Sequence, residues 1–197
     1  MIAFSQKVNQ DLFSTLNYFN HAPSQFPILP ACIIYKMLQA KSILDPFAGW
    51  GERCLASMVT NINYTGIDSN PNLIVPYQQL VQTYEHSNNI TIISKKIQDV
   101  DLTKIEFDVV FSSPPFWNDK GKLQEVYTNC DTEYKIFMEN VLAKFVQTCL
   151  LRPGVKVGLH LPINMYEDLE AIIGPCYDTI QFKTIKINTV YVWKSQV

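Results

Sequence analysis

Two rhythms of hydrophobic positions alternate along the chain. Short apolar runs of strand length recur at SILD (42–45), NYTGID (63–68), NITIIS (89–94), FDVVFS (107–112) and VKVGLHL (155–161). Between them lie longer stretches in which apolar residues stand three or four apart. The first rhythm predicts buried strands and the second predicts amphipathic helices, over 51–60, from Pro71 to about Glu85, and over 132–150. The last of these is the clearest, with Ile136, Phe137, Val141, Leu142, Phe145 and Cys149 at helical spacing before RPG (152–154) stops it. Upstream, ACIIYKMLQA (31–40) has the length and composition of a buried helix, with Pro27 or Pro30 near its start. Residues 1–20 read as a weak amphipathic helix carried by Val8, Leu12, Phe13, Leu16 and Phe19, joined to the rest by the proline-rich HAPSQFPILP (21–30). A short helix around Tyr166–Ile173 precedes DTIQFKTIKI and TVYVWKS, which look like a terminal hairpin.

Strands alternating with helices imply parallel crossover units, hence an α/β fold. The expected architecture is a doubly wound, mostly parallel sheet of about seven strands with an antiparallel C-terminal hairpin strand. The chain reads as one domain over 1–197, with 1–40 packing on it as an N-terminal helical segment. A composition of 47% hydrophobic and 17% charged residues fits a packed core, and the net charge of −2 excludes an overall basic coat. Five dispersed cysteines (Cys32, Cys54, Cys130, Cys149, Cys176) fit reduced thiols and show no zinc spacing, so no metal is expected. The N-terminus lacks a signal pattern, and no apolar run reaches the roughly 20 residues of a membrane span. The expected setting is intracellular, cytoplasmic or nuclear.

In such sheets ligands sit beyond the carboxyl ends of the strands. Three strand ends carry chemistry. DPFAGWGER (45–53) follows the first strand, and Gly49 and Gly51 allow a tight turn and close backbone approach before a helix opens. It is either a cofactor loop or an ordinary strand-to-helix turn, because the dinucleotide fingerprint fails at Cys54. Asp68 ends the second strand, 23 residues beyond Asp45, where an acid can accept both hydroxyls of a ribose or simply cap the next helix. SSPPFW (112–117) ends the fourth. Its two prolines forbid further pairing, and Phe116 and Trp117 either rim a site or fill core under the next loop. Asp108, inside the same apolar run, has no account in the sequence.

DPFAGWG and SSPPF together resemble the S-adenosylmethionine-dependent amino-methyltransferases, which methylate exocyclic amines of bases in DNA and, in related branches, RNA. The resemblance spans roughly residues 20–195 and implies a Rossmann-like methyltransferase fold. It also implies that Asp45, Pro46, Phe47, Gly49 and Gly51 hold S-adenosylmethionine, that Asp68 binds its ribose, and that Asp99 (with Gln98 as a rival) approaches its adenine. His21 and Phe26 are implied as upstream contacts. Ser113, Pro114, Pro115 and Phe116 are implied as the catalytic loop. An aromatic amine is a poor nucleophile because its lone pair is delocalised into the ring. If Ser113 Oγ and the Pro114 carbonyl accept its two hydrogens, the nitrogen moves toward tetrahedral geometry, and the prolines fix that arrangement in advance. Phe116 would stack on the base, an interaction worth about 1–3 kcal/mol. Serine in the first loop position is typical of enzymes acting on cytosine N4, so DNA cytosine N4 is favoured over adenine N6.

The sequence departs from that pattern in having no target-recognition insert. NDKGKLQEVYTNCDTE (118–133) is left as a polar loop, and Lys95, Lys96, Lys120 and Lys122 form either a modest basic rim or ordinary solvated surface. Such a domain would act on single strands, show little sequence preference, or borrow recognition from a partner subunit or a homodimer. RNA base methylation, protein amide methylation and a non-catalytic partner subunit that binds cofactor or nucleic acid stand as alternatives.

Overall fold

The computed structural model describes residues 26–117, 133–183 and 187–197. The expected helix over 1–20, His21, and the loop lysines Lys120 and Lys122 lie outside the described residues.

The described elements are α1 (Ile28–Leu38), β1 (Ser42–Asp45), α2 (Glu52–Thr60), β2 (Asn63–Asp68), α3 (Ile74–Thr83), β3 (Ile90–Ser94) and β4 (Val109–Ser112). A long helical run follows, built from α4 (Tyr134–Ile136), a π-helical stretch (Phe137–Ala143) and α5 (Lys144–Leu150). It leads to β5 (Lys156–His160), α6 (Ile163–Ile173), β6 (Asp178–Ile180) and β7 (Val190–Lys194). The strands form one seven-stranded sheet in the order β3-β2-β1-β4-β5-β7-β6. β1 to β5 pair in parallel, and β7 runs antiparallel between β5 and β6. This is the doubly wound α/β sheet with the expected antiparallel C-terminal hairpin. The order reverses between β1 and β4, so the carboxyl ends of those two strands flank the switch point where α/β sheets bind ligands.

Alternation of side chains divides the core between the two faces. Ile43, Val109 and Phe111 pack with Ile34, Tyr35 and Leu38 of α1, whereas Leu44 and Val110 pack with Phe137, Leu142 and Phe145 of the long helical run. The run departs from its expected stripe at one end. Ile136 is 46% exposed and Met138 takes its place in the core, because the wide π turn shifts the phase of the helix.

Asp108 also acquires a role. Its carboxylate accepts the Ser42 N–H at 2.8 Å and the Lys41 N–H at 3.1 Å, clamping the start of β1 to the foot of β4. At the other edge, Gly66 in β2 lets the β1–α2 loop lie flat on its strand. The Ala48 N–H donates to the Ile67 carbonyl at 2.9 Å, and a Cβ on Gly66 would stand 3.1 Å from Ala48 Cβ and 2.7 Å from the Tyr64 ring. Gly66→Ala should therefore lower stability by about 1–3 kcal/mol through overpacking. An unchanged urea midpoint would show that the loop does not press on β2.

Candidate active site

Asp45 closes β1 with a carboxylate that is wholly buried, and four bonds satisfy it. Oδ2 accepts from Arg53 Nε at 2.7 Å and from the Tyr64 hydroxyl at 2.8 Å. Oδ1 accepts from the Ser112 hydroxyl at 2.6 Å and from Arg53 Nη2 at 3.3 Å. Arg53, itself 5% exposed, also donates to the Phe47 carbonyl, and its own carbonyl accepts the Tyr35 hydroxyl at 2.9 Å. Burial alone would drive the guanidinium toward neutrality, but the Asp45 charge holds it protonated well above its ordinary range. Burial, then Asp45, raises the Tyr64 and Tyr35 hydroxyls in the same way. Asp45, expected as a cofactor contact, is 0% exposed with these bonds all internal, and it supports the loop from behind. Pro46 beside it is buried as well, while Phe47 is half-buried with its ring 5.8 Å from that of Phe137.

The loop those bonds hold is open on its other side. Gly49 (φ 62°) and Gly51 (φ 106°) take left-handed backbone that side chains disfavour, and a Cβ on Gly49 would find no atom closer than 3.9 Å. Asp68 ends β2 facing this turn. Its Oδ2 accepts the Gly49 N–H at 2.8 Å and its Oδ1 the Asn70 N–H at 2.9 Å. Each oxygen thus keeps acceptor capacity, since a carboxylate has about four acceptor sites. Half-burial raises the Asp68 carboxyl above its usual range, and the two N–H donors partly oppose that rise. Gln98 and Asp99 sit exposed on the 3₁₀ turn Ile97–Asp99, after β3.

At the end of β4 the two serines diverge. Ser112 points back to Asp45, and Ser113 Oγ lies 3.0 Å from Nδ1 of His160, the last residue of β5. Pro114 is buried and Pro115 half-buried. Phe116 is 7% exposed with its ring centroid 5.4 Å from the imidazole, and Phe26 approaches the same imidazole at 5.0 Å. Trp117 is packing: its ring lies 4.6 Å from that of Phe137, and its carbonyl accepts from Asn164 Nδ2 at 3.4 Å. His160 is buried, and among the described residues its Nε2 has no hydrogen-bond partner. Burial, reinforced by the Arg53 charge, pushes the imidazole down to about 4, so it is neutral at pH 7.

The structure therefore brings Gly49, Gly51, Asp68, Ser113, Pro114, Phe116 and Phe26 to the carboxyl edge of the sheet, around β2, β1, β4 and β5. Sequence reasoning missed Arg53, Tyr64, Ser112 and His160. A signal existed for His160 alone, as the polar residue closing an apolar strand. The other three are polar residues whose convergence on Asp45 is visible only in three dimensions.

Comparison with known proteins agrees with this geometry. The family model of the RNA cap guanine-N2 methyltransferases matches residues 40–193. No curated protein sequence matches the chain. Among solved structures, an RNA methyltransferase from Salinibacter ruber in complex with S-adenosyl-L-homocysteine superimposes with a TM-score of 0.60 at 14% identity, covering 87% of this chain and 94% of that one. A methyltransferase from Pyrococcus furiosus gives 0.59 at 15% identity with both chains fully covered. The T. thermophilus 16S rRNA N2 G1207 methyltransferase in complex with AdoMet and guanosine gives 0.57 at 17% identity, over 89% of this chain and 45% of that one. At these identities the superpositions establish the shared fold.

Two consequences of the buried charges can be measured. Asp45→Ala strands the Arg53 guanidinium in the core and should cost about 3–5 kcal/mol in chemical denaturation. A loss below about 1 kcal/mol would remove the pair from its central place. The second concerns pH. Unfolded His160 takes up a proton below 6.5, whereas the folded imidazole resists until about 4. Stability should therefore fall as pH drops through that window, by up to roughly 3 kcal/mol at 1.36 kcal/mol per unit. Thermal melts of the wild type and His160→Asn across pH 7 to 4 should diverge accordingly, and parallel curves would contradict a buried neutral imidazole.

Proposed function

This chain belongs to the RNA cap guanine-N2 methyltransferase family, and from that membership we propose that it transfers a methyl group from S-adenosylmethionine to the exocyclic N2 amine of a guanine in RNA. The observation that carries the reading is the family match over residues 40–193, which contain both the turn at Gly49 to Gly51 and the loop at Ser113 to Phe116. It moves the acceptor away from the DNA cytosine N4 expected from the loop serine. The RNA alternative weighed with it fits the family. The chemistry is common to both, since guanine N2 is also an amine whose lone pair is delocalised into its ring.

The residues fit the cofactor. The left-handed turn leaves space at Gly49, while Gly51 packs against Leu80 and Tyr77, and the Asp68 oxygens retain lone pairs for two ribose hydroxyls. Gln98 and Asp99 stand exposed after the neighbouring strand, within the region assigned to the adenine. The relatives solved with S-adenosyl-L-homocysteine or AdoMet support the same choice. When bound, the cofactor supplies a methyl group activated by its sulfonium.

The protein's own part is to present the amine. Ser113 Oγ and the Pro114 carbonyl accept hydrogen bonds from its two N–H groups, drawing the nitrogen out of conjugation and aiming its lone pair, and the surplus proton of the methylated amine passes to water. Pro114 and Pro115 hold that arrangement with little left to reorganise. Phe116 forms a wall of the same loop. It is 7% exposed and packs on the His160 ring, and its part is to stack on the base while Ser113 and Pro114 take the amine hydrogen bonds.

Incubation with labelled S-adenosylmethionine and, separately, a 7-methylguanosine-capped RNA oligonucleotide, an uncapped RNA and single-stranded DNA tests the proposal. Nucleoside mass spectrometry should find N2-methylated guanosine from RNA, and Ser113→Ala should lower the rate about 10²-fold or more without loss of cofactor binding. Label recovered only as N4-methylcytosine from DNA, or only in protein, would overturn the reading.

A further inference from the structure

A serine hydroxyl can accept a hydrogen from a substrate amine only if its own hydrogen points elsewhere. Two groups compete to decide where the Ser113 hydrogen goes: the incoming base and the His160 imidazole, whose Nδ1 lies 3.0 Å from Oγ. If Nδ1 carried the ring hydrogen, it would donate to Oγ, and the hydroxyl hydrogen would swing toward the site. There it would meet the hydrogens of the amine head-on. If Nδ1 is bare, it takes the hydroxyl hydrogen, and the Oγ lone pairs face outward.

We infer that His160 is a positioning residue for Ser113, its bare Nδ1 accepting the hydroxyl hydrogen so that Oγ faces the substrate amine purely as an acceptor. This rests on the catalytic reading of Ser113 given above. Three observations carry it. The pair joins the ends of adjacent parallel strands, β4 and β5, whose register (Ser112 opposite Leu159) brings Ser113 and His160 side by side. The ring is held by Phe26 at 5.0 Å and Phe116 at 5.4 Å, so it has little freedom to turn away. Finally, Nε2 is buried without a partner among the described residues, which leaves Nδ1, bonded to Ser113, as the ring nitrogen that makes a hydrogen bond there. Protonation would abolish the acceptor at Nδ1, and burial together with the nearby Arg53 charge keeps the ring neutral.

The test combines tautomer and kinetics. Nitrogen-15 NMR of histidine-labelled wild-type protein should show His160 with its hydrogen on Nε2. With the capped RNA oligonucleotide as acceptor, His160→Ala should lower kcat about 100-fold while KM for RNA and for S-adenosylmethionine stays put. His160→Asn, whose Oδ1 stands near the former Nδ1, should recover most of that loss. The double variant Ser113→Ala/His160→Ala should be no slower than Ser113→Ala alone, because the histidine acts through the serine. Multiplying losses in the double variant, a hydrogen found on Nδ1, or full activity of His160→Ala would each overturn the inference. If His160→Ala does not fold, the tautomer and the asparagine variant decide. A Ser113→Ala protein with undiminished activity would sink the catalytic reading of the loop instead, a result the tautomer measurement distinguishes from failure of the Ser113–His160 pair.

Discussion

The buried pair of Asp45 and Arg53 is the constraint on which the rest of the site depends. A carboxylate and a guanidinium both removed from water are tolerable only when each is fully bonded. That requirement draws in Tyr64 from β2 and Ser112 from β4, and it fixes the first turn of α2 against the end of β1. Three adjacent central strands and one helix are thereby tied at a single point, directly beneath the switch in strand order. The pair adds specificity of position more than net stability. It holds the turn so that Gly49 is left open while Gly51 packs inward on Leu80 and Tyr77.

Two adjacent serines divide the labour of the fourth strand. Because side chains alternate along a strand, Ser112 and Ser113 cannot point the same way. The first completes the Asp45 network and the second reaches across to His160. The prolines that follow have no N–H to donate, so the ladder does not continue past the serines. Asp108 does for the foot of this strand what Ser112 does for its head, anchoring it to β1. The strand is thus pinned at both ends, and the loop beyond it inherits that rigidity. The mechanism proposed for the site, aiming a lone pair, needs such rigidity more than it needs any strongly acidic or basic group.

The same chemistry explains why the acceptor was harder to read than the reaction. Cytosine N4, adenine N6 and guanine N2 are all amines conjugated to a ring, and one loop of hydroxyl and carbonyl acceptors serves each. Nothing in Ser-Pro-Pro-Phe distinguishes them by its own physics. Family membership over 40–193, not the loop, moves the assignment to guanine in RNA.

By itself the sequence determined the α/β architecture, the first five strands to within two residues, and the three loops that meet at the sheet's edge, while the first hairpin strand, expected over 178–187, is described only over Asp178–Ile180. These follow from local periodicity and from backbone rules for glycine and proline, which act over a few neighbouring residues. Only the tertiary structure decided what each polar side chain does there. It turned Asp45 inward, placed Trp117 in the core, exposed Ile136 through a π turn, gave Asp108 its partners, and set His160 beside Ser113. Apart from the π turn, each of these depends on residues distant in the chain, 67 positions apart for Asp45 and Ser112 and 47 for Ser113 and His160. Burial and hydrogen-bond satisfaction are properties of that packed arrangement, and no local pattern encodes which distant partner will meet the need.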